Sequence, residues 1–302
     1  MESSALITIG LPSALAIIMF GLGLTLTVGD FHRIAQSPRA VFIALALQLL
    51  VLPAMAFGLI MVFDLDPLLA IGMMLLAASP GGTTANLYSH LFRGDVALNI
   101  TLTAINAVLA AVTVPVITNF AIGYFGADGE VGLQLSKVIQ VIAIVLAPVV
   151  IGMITRRFSP TLAARADRPV RIFSVAVLAL VSVGALVAER DNIADYARQV
   201  GLVTAIFCLC SLTLGYAGAR LLQLAQPQAI AVSMEVGIHN TAVAMTIALS
   251  VLDSAEAAIP AAVYSVLMYV IAALFGYAIT RNTSAAQVSG SSRVEVTKHR
   301  SL

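Results

Sequence analysis

The sequence is short of charge, cysteine and tryptophan. Its 302 residues include no tryptophan and two cysteines, and Asp, Glu, Lys and Arg together make up 10%. About 25% of the residues of a soluble domain are charged, so this chain has too few charged side chains to cover a water-facing surface. The formal net charge of +1 leaves no basic patch for nucleic acid and no acidic field for a cationic partner. Cys208 and Cys210 lie two residues apart in one apolar stretch, which is too close for a strain-free disulfide within a helix. Two cysteines are also too few for a disulfide scaffold.

Apolar side chains are what the sequence has in quantity. They make up 60% of the residues, and the mean hydropathy is +1.00. A helix needs about 20 residues to cross about 30 Å of hydrocarbon, and the apolar runs are continuous, as is typical of membrane helices. We therefore predict an all-α polytopic membrane protein with about nine transmembrane helices. The nine runs are 5–27, 40–63, 67–92, 96–121, 135–155, 170–188, 199–221, 228–251 and 260–280.

The basic side chains predict how these helices are oriented. With the N-terminus outside and the C-terminus in the cytoplasm, 13 of the 16 Lys and Arg residues lie on cytoplasmic segments. Lys137, Arg190 and Arg198 then lie outside. Because positive charge is retained on the cytoplasmic side, the bias predicts this orientation in an inner (plasma) membrane. The polar tail 282–302 is expected to be disordered and cytoplasmic.

Two of the nine runs are interrupted near their middle. The run 67–92 contains the sequence Pro-Gly-Gly, which starts at Pro80. The proline has no N–H to donate and the two glycines have no side chain, so the helix is expected to break there. The run 228–251 contains Glu235, and a charge at that depth costs about 3 kcal/mol or more. Unwound backbone inside a membrane is tolerated only where protein buries it or where it lines a watery cavity. The two interruptions therefore predict a functional site.

The interrupted helices run in opposite directions through the predicted membrane, as in inverted-repeat secondary transporters. We expect a first repeat of four helices over 1–125 and a second of five helices over 126–281. Where a helix unwinds, its first half ends in carbonyls that bind a cation, and its second half begins with N–H groups that bind an anion. The oxygen-bearing candidates for binding sodium are Gln48, Thr83, Asn86, Asn99, Thr103 and Glu235.

Five groups of residues follow one another at specific separations. They are Ile18–Leu24, Gln48 with Pro53, Pro80–Asn86, Arg93–Leu98, and Glu235–Gly237 with Asn240. In these residues the chain resembles the bile acid:sodium symporter family, in the nine-helix form of a bacterial ASBT-like member. The resemblance covers residues 5–280. It implies a panel domain of the first, fifth and sixth helices and a core domain that moves like an elevator.

The resemblance also implies binding sites where the two discontinuous helices cross. The residues implied for a first sodium ion are Asn86, Asn99, Thr103 and Glu235. Those implied for a second are Gln48, Glu235, the carbonyls of Val236 and Ile238, and the side chain of His239. The residues implied for the organic anion, at the starts of the second half-helices, are Gly82, Thr83 and Asn240.

Three residues depart from the family pattern. Ala85 stands where a hydroxyl is common, and Asn99 stands where a serine is frequent. His239 replaces a glutamine and so removes an oxygen from the second sodium site. Because imidazole titrates near neutral pH, proton coupling through His239 and Glu235 is the alternative within the same fold.

The resemblance implies sodium-coupled symport of an organic anion, either bile acid-like or a small carboxylate such as pantoate or a 2-oxo acid. Its partners would be this anion, sodium and membrane lipid, with no nucleic acid, no protein partner and no cofactor beyond the coupling ion. A channel or a membrane anchor is the alternative outside this class. An enzyme is not expected, because the sequence has no HExxH, no His/Cys zinc spacing and no GxSxG elbow.

Overall fold

The computed structural model describes residues 11–126, 135–188 and 193–298, and the regular structure of these residues is helical. In chain order the α-helices are α1 Leu11–Thr25, α2 Val28–His32, α3 Pro38–Ala46, α4 Leu52–Phe63, α5 Pro67–Ala78, α6 Thr83–Leu91, α7 Val96–Phe125, α8 Leu135–Phe158, α9 Pro160–Ala188, α10 Ile193–Leu221, α11 Gln226–Gly237, α12 Thr241–Ser250 and α13 Ile259–Lys298. Each predicted apolar run coincides with one helix or with two helices in succession.

Four of the described helices are long and apolar enough to cross a membrane. They are Pro38–Phe63, Val96–Phe125, Val200–Leu221 and Glu256–Arg281. The pair Ser13–Thr25 and Val28–Gln36 makes a fifth if its 66° bend is counted within one span. Over the residues described, the chain is thus an all-helical polytopic membrane protein. The total of nine spans and the inverted repeat stay predictions, and the half-helices α5 and α12 are each shorter than a span.

The second predicted span contains a turn that the apolar pattern does not indicate. α3 and α4 are joined by a π-helical turn, Leu47–Val51, which carries Gln48. A π turn adds one residue to a helical turn and often marks a functional site. Within this turn Gln48 is 3% exposed, whereas Leu50 is 70% exposed. The polar side chain therefore lies inside the protein, and the apolar one lies on its surface.

Three helices form a group on one side of the chain's fold. α1, α8 and α9 pack against one another. Glycines allow α1 and α8 to approach closely, because a Cβ on Gly23 would lie 2.2 Å from Val149 O and one on Gly152 would lie 2.4 Å from Phe20 O. Small residues permit such close contacts between membrane helices. Helices α1, α8 and α9 correspond to the first, fifth and sixth predicted spans, which the family resemblance assigns to the panel domain.

The two interrupted helices are enclosed by the others. Every residue of Leu69–Ala78 in α5 and of Ala229–Gly237 in α11 is buried. A helix that is buried on all sides lies within a bundle. α7 packs against α5, α6 and α11, and α10 packs against α11 and α13. The interruptions therefore lie in the interior of the protein.

Helix α13 extends beyond the predicted apolar run 260–280 into the polar tail, whose disorder stays a prediction. α13 continues as a helix to Lys298, through most of the tail 282–302. A formed helix needs no new nucleus for each added residue, so a helix that leaves the apolar region can extend into polar sequence.

Some predictions fall on residues outside the described part of the chain. These residues are 5–10 of the first run, 127–134 of the predicted second repeat, Arg190, and 299–302 of the tail.

Candidate functional site

The two interruptions are hydrogen-bonded to each other. The extended segments between α5 and α6 and between α11 and α12 pair as an antiparallel bridge. The N–H of Gly82 donates to Ile238 O at 2.9 Å, and the N–H of Asn240 donates to Pro80 O at 2.8 Å. These backbone groups are thus satisfied within the protein, as the interior of a membrane requires. Both predicted breaks are present, and they meet.

Glu235 lies in the last turn of α11 and is 0% exposed. Its Oε2 accepts a hydrogen bond from Thr103 Oγ1 at 2.7 Å, and its Oε1 accepts one from Asn106 Nδ2 at 2.8 Å. Both donors are neutral, and no basic side chain of the described residues lies within ion-pair distance of the carboxylate. A buried carboxylate without a cationic partner is costly. The arrangement therefore favours the binding of a small cation at Glu235.

Gly81 brings the backbone of one broken helix onto the carboxylate of the other. A Cβ on Gly81 would lie 2.2 Å from Glu235 Oε1 and 2.7 Å from Oε2. Any side chain at position 81 would therefore displace either the carboxylate or the backbone. A Cβ on Gly82 would meet His239 O at 3.3 Å, so that position is less restricted. The close approach explains why the first break needs a glycine at position 81.

Amide side chains around the crossing have buried oxygens without a hydrogen-bond partner among the described residues, and three of these amides use their N–H donors. Asn99 Nδ2 donates to Ala231 O at 2.8 Å, and Gln48 Nε2 donates to Ser79 O at 3.3 Å. Buried polar atoms are nearly always partnered, and oxygen ligands suit hard cations. The predicted ligands among these amides therefore fit a sodium ion. The buried amide oxygens that accept no hydrogen bond from any described residue are Gln48 Oε1, Asn86 Oδ1, Asn99 Oδ1 and Asn106 Oδ1.

Thr103 has one hydroxyl proton and two acceptors for it. Its Oγ1 lies 2.7 Å from Glu235 Oε2 and 3.0 Å from the carbonyl oxygen of Asn99, one turn earlier in α7. Donation to Glu235 stabilises the carboxylate directly. Donation to Asn99 turns a hydroxyl lone pair toward the carboxylate and allows both groups to bind one cation. The hydroxyl can exchange these roles without moving its oxygen.

His239 and Gln48 meet at one carbonyl group. His239 Nδ1 lies 3.2 Å from Ser79 O, the oxygen that also accepts from Gln48. Because a carbonyl only accepts, Nδ1 is the protonated nitrogen in this contact, and in the neutral ring Nε2 presents a lone pair. Nε2 is buried and has no partner within the described ranges. The ring stacks on Phe207 with 5.7 Å between centroids and meets the edge of Tyr264 at 5.5 Å. The structure thus brings together two of the three side chains predicted for the second sodium site, Gln48 and His239.

Two carbonyls at the end of α11 already accept hydrogen bonds. Ile238 O accepts the N–H of Gly82, and Gly237 O accepts the hydroxyl of Tyr264 at 2.8 Å. A carbonyl oxygen has two lone pairs, so Ile238 O keeps one for a cation. Val236 is 1% exposed and directly follows Glu235. The ligand roles expected for the Val236 and Ile238 carbonyls stay predictions.

The residues expected to bind the organic anion lie at the starts of the second half-helices. Gly82 precedes α6 as its N-cap, and Asn240 precedes α12, where its Oδ1 accepts the N–H of Val243 at 3.4 Å. Thr83 is exposed, and Asn240 is half-buried. Helix N-termini present N–H groups and the positive end of the helix dipole. Two such starts close together suit an anion.

Asn106 contacts Glu235 directly, although the sequence prediction omits it. It follows Asn99 by seven residues and Thr103 by three, and such spacings lie on one side of a helix. This periodicity was the available signal. Tyr264 gave no comparable signal, because its contact with the carbonyl of Gly237 depends on how α13 packs against α11.

Comparisons with known proteins agree with the geometry. The profile of the Sodium Bile acid symporter family matches residues 12–196. The uncharacterized sodium-dependent transporter YocS of Bacillus subtilis is 30% identical over 252 residues, which are 83% of this chain and 77% of that protein. The probable sodium/metabolite cotransporter BASS1, chloroplastic, of Arabidopsis thaliana is 29% identical over 83% of this chain and 62% of its own length, so less than two thirds of that relative is covered. The ileal sodium/bile acid cotransporter of Homo sapiens is 24% identical over 77% of this chain and 67% of its own length.

Proposed function

Because the chain belongs to the sodium bile acid symporter family, we propose that it is a secondary active transporter that couples the movement of an organic anion to sodium. Its relatives are named as transporters or cotransporters, and this chain is not an enzyme. The observation that carries the proposal is Glu235, a fully buried carboxylate whose two donors are neutral. A sodium ion would neutralise this charge and take up oxygens that lack partners.

Two sodium sites share Glu235 in this proposal. The sites are supported by the contact of Thr103 with the carboxylate and by the buried amide oxygens without partners. The first site uses Asn86, Asn99, Thr103 and Glu235. The second uses Gln48, Glu235, the carbonyls of Val236 and Ile238, and His239.

The organic anion would bind at the starts of α6 and α12, near Gly82, Thr83 and Asn240. The extended segment 238–240 joins the helix of Glu235 to the start of α12. A cation that orders this segment therefore also orders the anion site, which couples the two binding events. The names of two relatives refer to a metabolite and to bile acid. We propose as substrate a bile acid-like anion or a small carboxylate such as pantoate or a 2-oxo acid.

The proposed architecture has nine spans, with inverted repeats over 1–125 and 126–281. The mutual packing of α1, α8 and α9 supports their assignment as a panel. The hydrogen bonds between the two breaks support a core that carries the binding site as one body. Alternating access would then come from an elevator-like movement of the core against the panel. The proposed location is the plasma membrane, with the N-terminus outside and the C-terminus in the cytoplasm.

Proton coupling is the second candidate, and one observation favours it. His239 Nε2 is buried and lacks a partner in the part of the chain that the structure describes. A proton bound there would replace the second sodium ion. The first site would keep its sodium or would share the proton through Glu235.

Uptake into proteoliposomes tests the coupling. Uptake of a conjugated bile acid, pantoate and pyruvate is measured under an inward sodium gradient, under an inward proton gradient, and without either. Saturable uptake that requires sodium supports the proposal. Uptake that follows the proton gradient alone favours the second candidate, and non-saturating flux without coupling indicates a channel.

Glu235→Gln keeps the shape of the side chain and removes its charge, so we expect sodium-dependent uptake to fall to background. Asp30→Asn is the matched control, because Asp30 is also a buried carboxylate, 5% exposed. Asp30 accepts hydrogen bonds from Thr27 and Arg33, neither of which belongs to the crossing. We expect this variant to retain sodium coupling. Normal sodium-dependent uptake by Glu235→Gln would contradict the proposal.

A further inference from the structure

Asn106 holds one oxygen of the Glu235 carboxylate from α7. Its Nδ2 donates to Glu235 Oε1 at 2.8 Å, and the residue is 3% exposed. A carboxylate accepts hydrogen bonds, so the amide must present its NH₂ group to Glu235. The other branch of the same planar amide, Oδ1, is buried and accepts no hydrogen bond from the described residues. One side chain therefore satisfies Glu235 and also offers a neutral oxygen beside it.

The residue belongs to a polar stripe on one side of α7. Asn99, Thr103 and Asn106 follow at intervals of four and three residues, which span about 10 Å along a helix. Thr103 and Asn106 together occupy both oxygens of the Glu235 carboxylate. Asn99 and Asn106 lie one turn to either side of Thr103. Each has its NH₂ group bonded, and neither amide oxygen has a partner among the residues that the structure describes. The two amides are thus arranged alike around the hydroxyl that touches the acid.

The orientation of the amide suits a cation ligand. An asparagine that only filled space would gain by satisfying both ends of its amide, because an unpartnered buried oxygen is costly. Here the end that lacks a partner is the end that binds cations, and it stands next to a buried negative charge. Hard cations prefer such oxygen ligands.

We propose that Asn106 is a further residue of the cation site at Glu235. Its Nδ2 positions the carboxylate, and its Oδ1 is a ligand of the sodium ion, in addition to Asn86, Asn99 and Thr103. This inference rests on the proposed function, because it requires that sodium binds at Glu235. Its consequence is that Asn106 sets the affinity and the selectivity of the site for monovalent cations.

Sodium binding to the purified full chain tests the inference without any organic substrate. Binding of radiolabelled sodium and the thermal stability of the protein are measured against sodium chloride, with choline chloride holding the ionic strength constant. The variants are Asn106→Leu, which removes both polar atoms, and Asn106→Ser, which keeps one hydroxyl. Thr113→Val is the matched control, because Thr113 lies two turns further along α7 and its Oγ1 is also buried, with no partner in the described part of the chain.

We expect Asn106→Leu to raise the half-saturating sodium concentration by roughly tenfold or more, with full binding recovered at high sodium. Asn106→Ser should give a half-saturating sodium concentration between those of the wild type and the leucine variant. If the leucine variant does not fold, the serine variant alone tests the inference. The ratio of half-saturating lithium to half-saturating sodium should change in both variants, whereas Thr113→Val should keep the wild-type values.

Two outcomes would overturn the inference. In the first, the Asn106 variants lose thermal stability in sodium-free buffer but keep the wild-type sodium affinity and lithium-to-sodium ratio. In that case Asn106 stabilises the packing of α7 and does not bind sodium. In the second, the wild-type protein binds no sodium, which is a failure of the proposed function itself. The wild-type titration therefore separates the two failures.

Discussion

Gly81 and Glu235 come from opposite broken helices and leave no room for a methyl group between them. A Cβ on Gly81 would lie 2.2 Å from one carboxylate oxygen. The backbone of the first break thus forms one wall around the acid of the second. Any cation at this carboxylate would contact both halves of the predicted repeat at once.

We expect Gly81→Ala to abolish sodium binding while the protein still inserts and folds. The added methyl group would push the carboxylate of Glu235 away from Thr103 and Asn106 and so disturb the site. Radiolabelled sodium binding to the purified variant measures the effect. Gly58→Ala is the control, because Gly58 also lies in a helix but a Cβ there would meet nothing within 4 Å. Wild-type sodium affinity in Gly81→Ala would show that the carboxylate does not bind the ion.

Tyr264→Phe should destabilise the second break. The hydroxyl of Tyr264 donates to Gly237 O at 2.8 Å, and its loss leaves a buried carbonyl without this donor at a cost of about 1–3 kcal/mol. The midpoint of thermal unfolding in detergent should fall, and the half-saturating sodium concentration should rise. Tyr277→Phe on the same helix is the control, since Tyr277 is 59% exposed. An unchanged midpoint in Tyr264→Phe would mean that the hydrogen bond contributes nothing to the break.

His239→Gln tests the nature of the second ion site. A glutamine can donate to Ser79 O, as His239 does, and its amide oxygen replaces the lone pair of Nε2. We expect uptake to depend more steeply on sodium concentration and less on pH. The Hill coefficient for sodium and the pH profile of uptake in proteoliposomes measure these two changes. If both stay as in the wild-type protein, neither sodium nor a proton is bound through position 239.

The interruptions themselves could be predicted from the sequence because their causes are local. Pro80 lacks the N–H that a continuous helix needs, and Glu235 is an acid in the middle of an apolar run. Both signals are present in the sequence and do not depend on how the helices pack. The family resemblance added the expectation that the two breaks cross, and the hydrogen bonds between them agree with it.

The role of Asn106 has a weaker signal, because its spacing from Asn99 and Thr103 places all three on one side of α7 but does not show that this side faces Glu235. A helix rotated by one residue would present a different row of side chains to Glu235, and the sequence does not fix that rotation. The π turn at Leu47–Val51 has the same limitation. It changes the direction of Gln48, and Pro53 just after the turn does not by itself predict a π turn. Both features depend on how helices pack and not on local preference.

The pairing of Gly82 with Ile238 and of Asn240 with Pro80 has a mechanical consequence. Separating the two breaks inside a membrane would strip four backbone groups of their partners, at a cost of several kcal/mol for each group. Sliding both together past a neighbouring surface breaks none of these bonds. The two breaks therefore resist separation, and the proposed elevator-like movement would carry them as one body.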